Sequence, residues 1–280
     1  RSRGLGDVYK RQSIYRENAC QNMSKEISVR KEGDKEEILE FLEKDRVWAG
    51  YAICDLEPQL FSLCEWYVAY SDGEIISLCL YFKGFETPTQ ITFGSNLGVN
   101  KILEIIDAPK RVHAHFLPTH KKVVTKHYSF DKLRLMKRMA ITKEYFTPAA
   151  GSALRLTENN LAELKTFYAK RAETFFLPDM LTSGVYYGIR KDGTLVSVAG
   201  THAISTLHKI ACVGNIFTHP SHRSRGYATI CTSKVVEELL HNHRDIILNV
   251  DSKNIPAVKV YEKLGFREHC KYFEGSGTAK

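Results

Sequence analysis

No stretch of 18 or more apolar residues occurs in the 280-residue chain, so no membrane-spanning helix is predicted. The seven cysteines, Cys20, Cys54, Cys64, Cys79, Cys212, Cys231 and Cys270, never form a C-x-x-C pair. An odd, scattered set is no disulfide framework, and the expectation is reduced thiols in a cytoplasmic protein. Metal-ligand clusters are missing as well. His113-x-His115 and His241-x-His243 can each put two imidazoles on one strand face, but no cysteine or carboxylate cluster completes four ligands. No metal is therefore predicted. With 43% hydrophobic and 26% charged residues the chain is globular rather than disordered. Its length suits two modest domains or one large one.

The net charge of +8 is unevenly spread, with +3 in residues 1–22, zero in 23–147 and +5 in 148–280. A moderate surplus suits nucleic acid or a phosphate-bearing small molecule equally. Nine basic residues stand between Lys110 and Arg138 against the single Asp131. Since the surrounding half is neutral, this strip reads as a solvated face, and no nucleic-acid partner is expected. Residues 1–22 are polar and have neither an apolar h-region nor an amphipathic Arg-rich stretch. Asp7-Val8-Tyr9-Lys10-Arg11-Gln12 looks like adapter sequence translated in frame, and Met23 like a true start. The segment is expected to be a non-native or disordered leader.

From Met23 onward strand and helix signals alternate. Trp66 to Tyr70, the turn Ser71-Asp72-Gly73, and Ile75 to Tyr81 predict a hairpin. Short strands follow at Pro88–Phe93 and Val112–Phe116, helices at 101–106 and 121–127, and a closing strand at Leu133–Met139. Thr147-Pro148-Ala149-Ala150-Gly151-Ser152 reads as a linker. The order then restarts: a strand at 153–156, Thr157 as a helix cap, a helix over 161–171, and a hairpin about Lys191-Asp192-Gly193. Strands at 210–218 and 246–250 follow, with helices at 229–241 and 255–264. This pattern predicts an α/β (α+β) fold of two lobes, each a mixed, mostly antiparallel twisted sheet flanked by helices. The expected division is 23–147 and 148–280.

The most specific signal is Ile216-Phe217-Thr218-His219-Pro220-Ser221-His222-Arg223-Ser224-Arg225-Gly226-Tyr227-Ala228. A strand ends, a polar turn follows, and Arg-x-x-Gly-x-Ala opens a helix with Thr229. Such a helix start offers unpaired N–H groups and a positive dipole end to an anion. Gly226 permits close backbone approach, and Arg223 and Arg225 add charge-assisted contacts. Downstream stand Leu248-Asn249-Val250-Asp251 and Asn254-x-x-Ala257-x-x-x-Tyr261-x-x-x-Gly265-Phe266.

In that order the two motifs resemble the GNAT (Gcn5-related) N-acetyltransferase superfamily, with Arg223, Gly226 and Ala228 filling the pyrophosphate-loop pattern. The resemblance covers roughly 153–273. It implies two splayed parallel strands, 210–218 and 246–250, with a bulge at Gly214-Asn215 and the acyl-pantetheine arm of acetyl-CoA between them. It assigns backbone contacts to Asn215, Ile216, Phe217 and Thr218. The turn residues Arg223, Ser224, Arg225, Gly226, Tyr227, Ala228 and Thr229, together with Asn249 and Asn254, would hold the cofactor; for Asn254 a plain N-cap is an equal reading. Tyr261 would protonate the departing thiolate. The base is open between His202, Glu173 and a water chain. The implied activity is direct acetyl transfer to a primary amine, on a small molecule, a peptide N-terminus or a lysine, without a metal. A coenzyme-A-binding sensor without turnover is the alternative, and Tyr261 speaks against it.

The first half repeats the layout without paired arginines. It has Thr125 where the second has Tyr261, and is expected to be a degenerate copy that walls the acceptor site. Past Cys270-Lys271-Tyr272-Phe273 little chain remains for a regular last strand, so one from the first lobe is the expected substitute.

Overall fold

The computed structural model describes residues 26–169 and 176–280. The leader, residues 1–22, and Glu173 lie outside the described residues. Among the described residues thirteen strands form one sheet: β1 (Ile27–Glu32), β2 (Cys64–Ser71), β3 (Glu74–Phe82), β4 (Thr89–Gly94), β5 (Arg111–Phe116), β6 (Tyr128–Phe130), β7 (Arg134–Ile141), β8 (Leu154–Leu156), β9 (Tyr186–Lys191), β10 (Thr194–Ser205), β11 (Ile210–Thr218), β12 (Asp245–Asp251) and β13 (Arg267–Ala279). Their spatial order is β1-β2-β3-β4-β5-β13-β7-β12-β11-β10-β9-β8, with β6 beside β13. The β2–β3 and β9–β10 hairpins turn on Asp72-Gly73 and Asp192-Gly193, all four at positive φ. Paired positive φ gives the turn twist that matches right-twisted strands.

The two halves of the sheet are crossed by the chain. β7, from the first half of the sequence, pairs antiparallel with β12. β13, the C-terminal strand, passes beyond it and pairs with both β7 and β5. The expected shortage of chain for a last strand is thus corrected. Thirteen residues of β13 are regular, and they complete the other half. The expectation counted only the chain past Phe273, whereas the strand already begins at Arg267; Gly275 and Gly277 weaken the signal of its far end.

Helices cover both faces. On one face α1 (Lys35–Glu43) and α2 (Arg46–Cys54) lie across the junction of the halves. There Trp48, Ala49, Ala52 and Ile53 meet Ile210, Cys212, Ile247 and Tyr272 in one buried cluster. α2 has no polar side and so no helical period in its sequence; every residue from Trp48 to Cys54 except Tyr51 is buried. The short α3 (Pro58–Phe61) follows. On the opposite face α4 (Asn96–Ile105) and α5 (Lys121–His127) cover the first half. α4 starts before the predicted 101–106 because Ser95 caps it. α6 (Leu161–Tyr168) and α7 (Pro178–Ser183) pack on β10, and α8 (Tyr227–Leu239) and α9 (Ile255–Leu264) close the second half.

At the centre stands Arg138 on β7, 1% exposed. Its Nε donates to Asn249 Oδ1 at 2.7 Å, and its Nη1 to the carbonyls of Val47 and Trp48 at 3.0 and 2.9 Å. The guanidinium carbon lies 5.1, 5.0 and 5.4 Å from the ring centroids of Trp48, Tyr51 and Tyr272. A buried guanidinium is tolerable only when its donors are met, and the rings add cation–π attraction. The solvated-face reading of the strip 110–138 therefore fails at its last residue.

The helix α9 shows how local sequence sets the site. Asn254 accepts from Ala257 N, Pro256 opens the first turn, and Gly265 ends the helix at φ 102. A Cβ on Gly265 would lie 1.8 Å from the Tyr145 carbonyl oxygen. Gly265→Ala is expected to lower the unfolding free energy by roughly 2–4 kcal/mol, through both strain and clash. Urea denaturation checks this, and an unaltered midpoint would mean that Tyr145 yields.

Candidate active site

β11 and β12 pair in parallel only from Ile210–Val213 to Asp245–Leu248. Beyond Val213 and Leu248 they part. The parting has a local cause on β11: Gly200 pairs with Gly214 while Val198 pairs with Phe217, so Asn215 and Ile216 together face the one residue Ala199. Asn215 takes φ 52 at this bulge, a conformation asparagine tolerates better than most residues. Its carbonyl accepts from Tyr168 Oη, and its amide nitrogen donates to Tyr186 Oη at 2.8 Å. Past the bulge the Ser197 and Thr218 hydroxyls meet at 2.8 Å across β10 and β11.

The turn after β11 runs through a single 3-10 turn, Pro220–His222, to the start of α8. Arg223 Nε donates to the Thr218 carbonyl at 3.2 Å, folding the turn back. Ser224 and Gly226 have φ 61 and 77. No side chain caps α8, and its first turn carries no acidic residue. A Cβ at Gly226 would meet nothing within 4 Å, and Arg223, Ser224, Arg225 and Gly226 are exposed while Tyr227 and Ala228 are half-buried and Thr229 buried. This is an open cradle at a positive helix end, which fits a diphosphate.

The equivalent region of the first half is closed. β4 and β5 pair in parallel only from Thr89–Ile91 to His113–His115. There His120, 1% exposed, bonds the free end of β4 through Thr92 Oγ1 at 2.9 Å and the Gly94 carbonyl at 2.9 Å. Because a carbonyl only accepts, Nε2 carries the proton and Nδ1 accepts from the threonine. The α4 start is capped by Ser95, whose Oγ accepts from Gly98 N at 3.1 Å. A Cβ at Gly98 would lie 2.3 Å from Ser77 Oγ, so no open cradle exists there.

His202 and Tyr261 flank the splay from opposite faces. On β10, Thr201 pairs with Val213 and Ala203 with Cys212, and the register shift between them puts His202 at a bulge. Its imidazole packs over Gly214, where a Cβ would come within 2.8 Å of the His202 Cβ. Tyr51, from α2, meets it edge-on at 5.8 Å, with its hydroxyl 3.5 Å from Nδ1. Burial pushes the His202 pKa down to about 4, so the ring is neutral at pH 7. Tyr261 is 7% exposed and packs T-shaped on Phe266 at 6.1 Å, in the cluster that holds Val213, Leu248 and Val250.

Other expected residues have evident local duties. Asn249, the first residue past the paired stretch of β12, gives its amide oxygen to Arg138. Asn254 caps α9. Sequence reasoning missed Tyr51, Tyr168 and Tyr186, because each comes from a different element and none shares a spacing with the motifs. It also missed that β5 and β13 bring His113 and His115 together with Glu274, whose carboxylate is held near 2 despite its burial, by His113, His115 and Arg134.

A sequence profile of the GNAT acetyltransferase family matches residues 118–273, more than half of the chain, and the chain belongs to that family. No curated protein matches it at a significant level. Among solved structures, a Drosophila protein superposes with a TM-score of 0.67 at 12% identity, covering 88% of this chain and 98% of that one. A tandem GNAT protein from the clavulanic acid biosynthesis pathway gives 0.57 at 14%, covering 91% and 98%. A GCN5-related N-acetyltransferase from Kribbella flavida gives 0.57 at 15%, covering 72% and 86%. At these identities the likeness is one of fold, two-lobed in the tandem case. No helix among the described residues is long and apolar enough to cross a membrane.

The histidines set an acid limit on stability. Burial lowers the pKa of His115 to about 3 and of His202 to about 4. A group whose folded pKa lies below its unfolded value of about 6.5 binds fewer protons in the native state, so stability falls as pH drops through 6.5 towards the folded value. Glu274, held near 2, contributes its own loss only below about 4.5. Unfolding free energy measured in urea should therefore decline between pH 6.5 and 4.5, and His202→Gln should flatten that slope. An equal slope in the variant would show that the ring protonates in place.

Proposed function

We propose that this protein transfers an acetyl group from acetyl-CoA to a primary amine in a ternary complex. The observation that carries the reading is the splay of β11 from β12, bulged at Asn215 and continued by the uncapped start of α8. Backbone groups of Asn215 to Thr218 would bond the pantetheine arm as an added strand and polarise the thioester carbonyl. The diphosphate would take the N–H groups from Gly226 to Thr229, with Arg223 and Arg225 beside it. The lobes would divide the labour as 23–147 and 148–280, the first walling the acceptor side through Tyr51 and binding no second coenzyme A.

His202 and Tyr261 would then act from the two sides of the reacting carbon. The neutral His202 accepts a hydrogen bond from the incoming amine and, given its low proton affinity, relays to solvent water the proton that the nitrogen loses as the N–C bond forms and the C–S bond breaks. Tyr261 gives a proton to the departing sulfur, a step that matters because a thiol of pKa ~8.5 otherwise leaves as an unaided thiolate.

The test is thiol release from acetyl-CoA across a panel of amines, amino acids and peptides, paired with calorimetric binding. One equivalent of coenzyme A per chain is expected. Gly226→Asn, whose side chain tolerates positive φ yet fills the cradle, should weaken binding by about tenfold or more while the melting temperature holds. Tyr261→Phe should keep coenzyme A affinity and slow the chemical step by ~10²–10⁴. Turnover within twofold of wild type, with chemistry rate-limiting, would return Tyr261 to the core. Binding without thiol release from any acceptor would favour the sensor.

A further inference from the structure

We infer that His113, His115 and Glu274 form a divalent transition-metal site, of the kind zinc occupies, clamping the last strand of the chain to β5. His113 and His115 alternate on β5 so that both face one side, and Glu274 on the adjacent antiparallel β13 stands directly opposite His115. Their ligand atoms all lie within 4.8 Å of one another, and His113 Nε2 is 3.7 Å from Glu274 Oε1. Donors bound to one tetrahedral zinc at ~2.0–2.1 Å are separated by roughly 3.3–3.5 Å. Small side-chain rotations therefore suffice to close the set. Two imidazoles and one carboxylate leave a fourth position for water.

The surroundings orient the three ligands. Tyr272, two residues before Glu274 on the same face, stacks its ring on His115 at 5.7 Å and 14° and donates its hydroxyl to Glu274 Oε2 at 3.3 Å. The His113 and His115 rings stand edge to face at 5.0 Å. Outer partners that hold a ligand's orientation are a regular part of metal sites. Two cations oppose the ion: the buried Arg138 disfavours positive charge at His115, and, more directly, Arg134 Nη2 donates to Glu274 Oε1 at 2.9 Å. Its side chain is 37% exposed on a flexible stem, so it can turn to water when an ion takes that oxygen. This opposition makes a specific forecast, because removing the guanidinium charge should strengthen ion binding rather than weaken it.

The full chain, stripped with chelator, is titrated with cobalt(II) followed by its visible absorption, and with zinc(II) in competition. One saturable equivalent per chain is expected. His115→Gln and Glu274→Gln should each weaken it by more than the about tenfold that loss of an outer partner costs, and Arg134→Gln should tighten it at least about threefold. Zinc should raise the melting temperature of the wild type and not of His115→Gln. Circular dichroism of the metal-free variants verifies the fold, and His113→Gln, at a half-exposed position, serves if Glu274→Gln does not fold. Absence of saturable uptake, uptake that survives His115→Gln or His113→Gln, or unchanged or weaker binding in Arg134→Gln overturns the assignment.

Discussion

A strand that leaves its own half of the sheet to complete the other makes neither half able to finish alone. β13 follows α9 in the second half, yet it lies between β5 and β7. β7 in turn comes from the first half and supplies the neighbour that β12 requires. Without this exchange β12 and β5 would each expose a long edge of unpaired backbone groups, the arrangement sheets avoid. The exchange also brings Arg138 of β7 under α2, where the Val47 and Trp48 carbonyls and Asn249 take up its donors. Three segments distant in sequence thus meet on one guanidinium. Its burial is costly unless all of them are in place, which ties the register of β7 against β12 to the docking of α2.

That register matters for the splay. Val213 and Leu248 are the last parallel pair, and Asn249, held by Arg138, is the next residue on β12. The strand is therefore fixed on its β7 side just where it loses its β11 partner. β11 is held on the opposite side, by Tyr168 and Tyr186 at the bulged Asn215. A gap between parallel strands would otherwise close by sliding. Here each lip is bonded to partners other than the facing strand, Tyr168 and Tyr186 for β11 and Arg138 for β12. In the first half the same parting of parallel strands is bonded inward by His120 and capped by Ser95. One fold thus yields an open and a closed version through a few polar side chains.

How much of this was legible in the sequence follows from how local each signal is. The hairpins at Asp72-Gly73 and Asp192-Gly193 and the helix Ile255–Leu264 rest on neighbours within a few residues, the bulge at Gly214-Asn215 on the family resemblance, and the sequence reading matches the structure at each. α2 was invisible because burial on all sides erases the helical period that a surface helix displays. β13 was discounted because so little chain remains past Phe273, and only the pairing with β5 and β7 explains its length. The Tyr51–His202 contact and the meeting of His113 and His115 with Glu274 depend wholly on that pairing and on α2, so no spacing announces them.

The placement of α2 bears on why a lobe with a closed cleft is retained. Its Tyr51 reaches the bulge residue His202 of the second half, while its neighbours Trp48 and Ala52 belong to the core that both halves share at their junction. His202 sits at the bulge of β10 between Thr201 and Ala203. The tyrosine packs edge-on against it and brings a hydroxyl within reach of Nδ1. The first lobe is thus bound into the environment of the candidate site by the same packing that holds the exchanged strands, and the two cannot be altered separately.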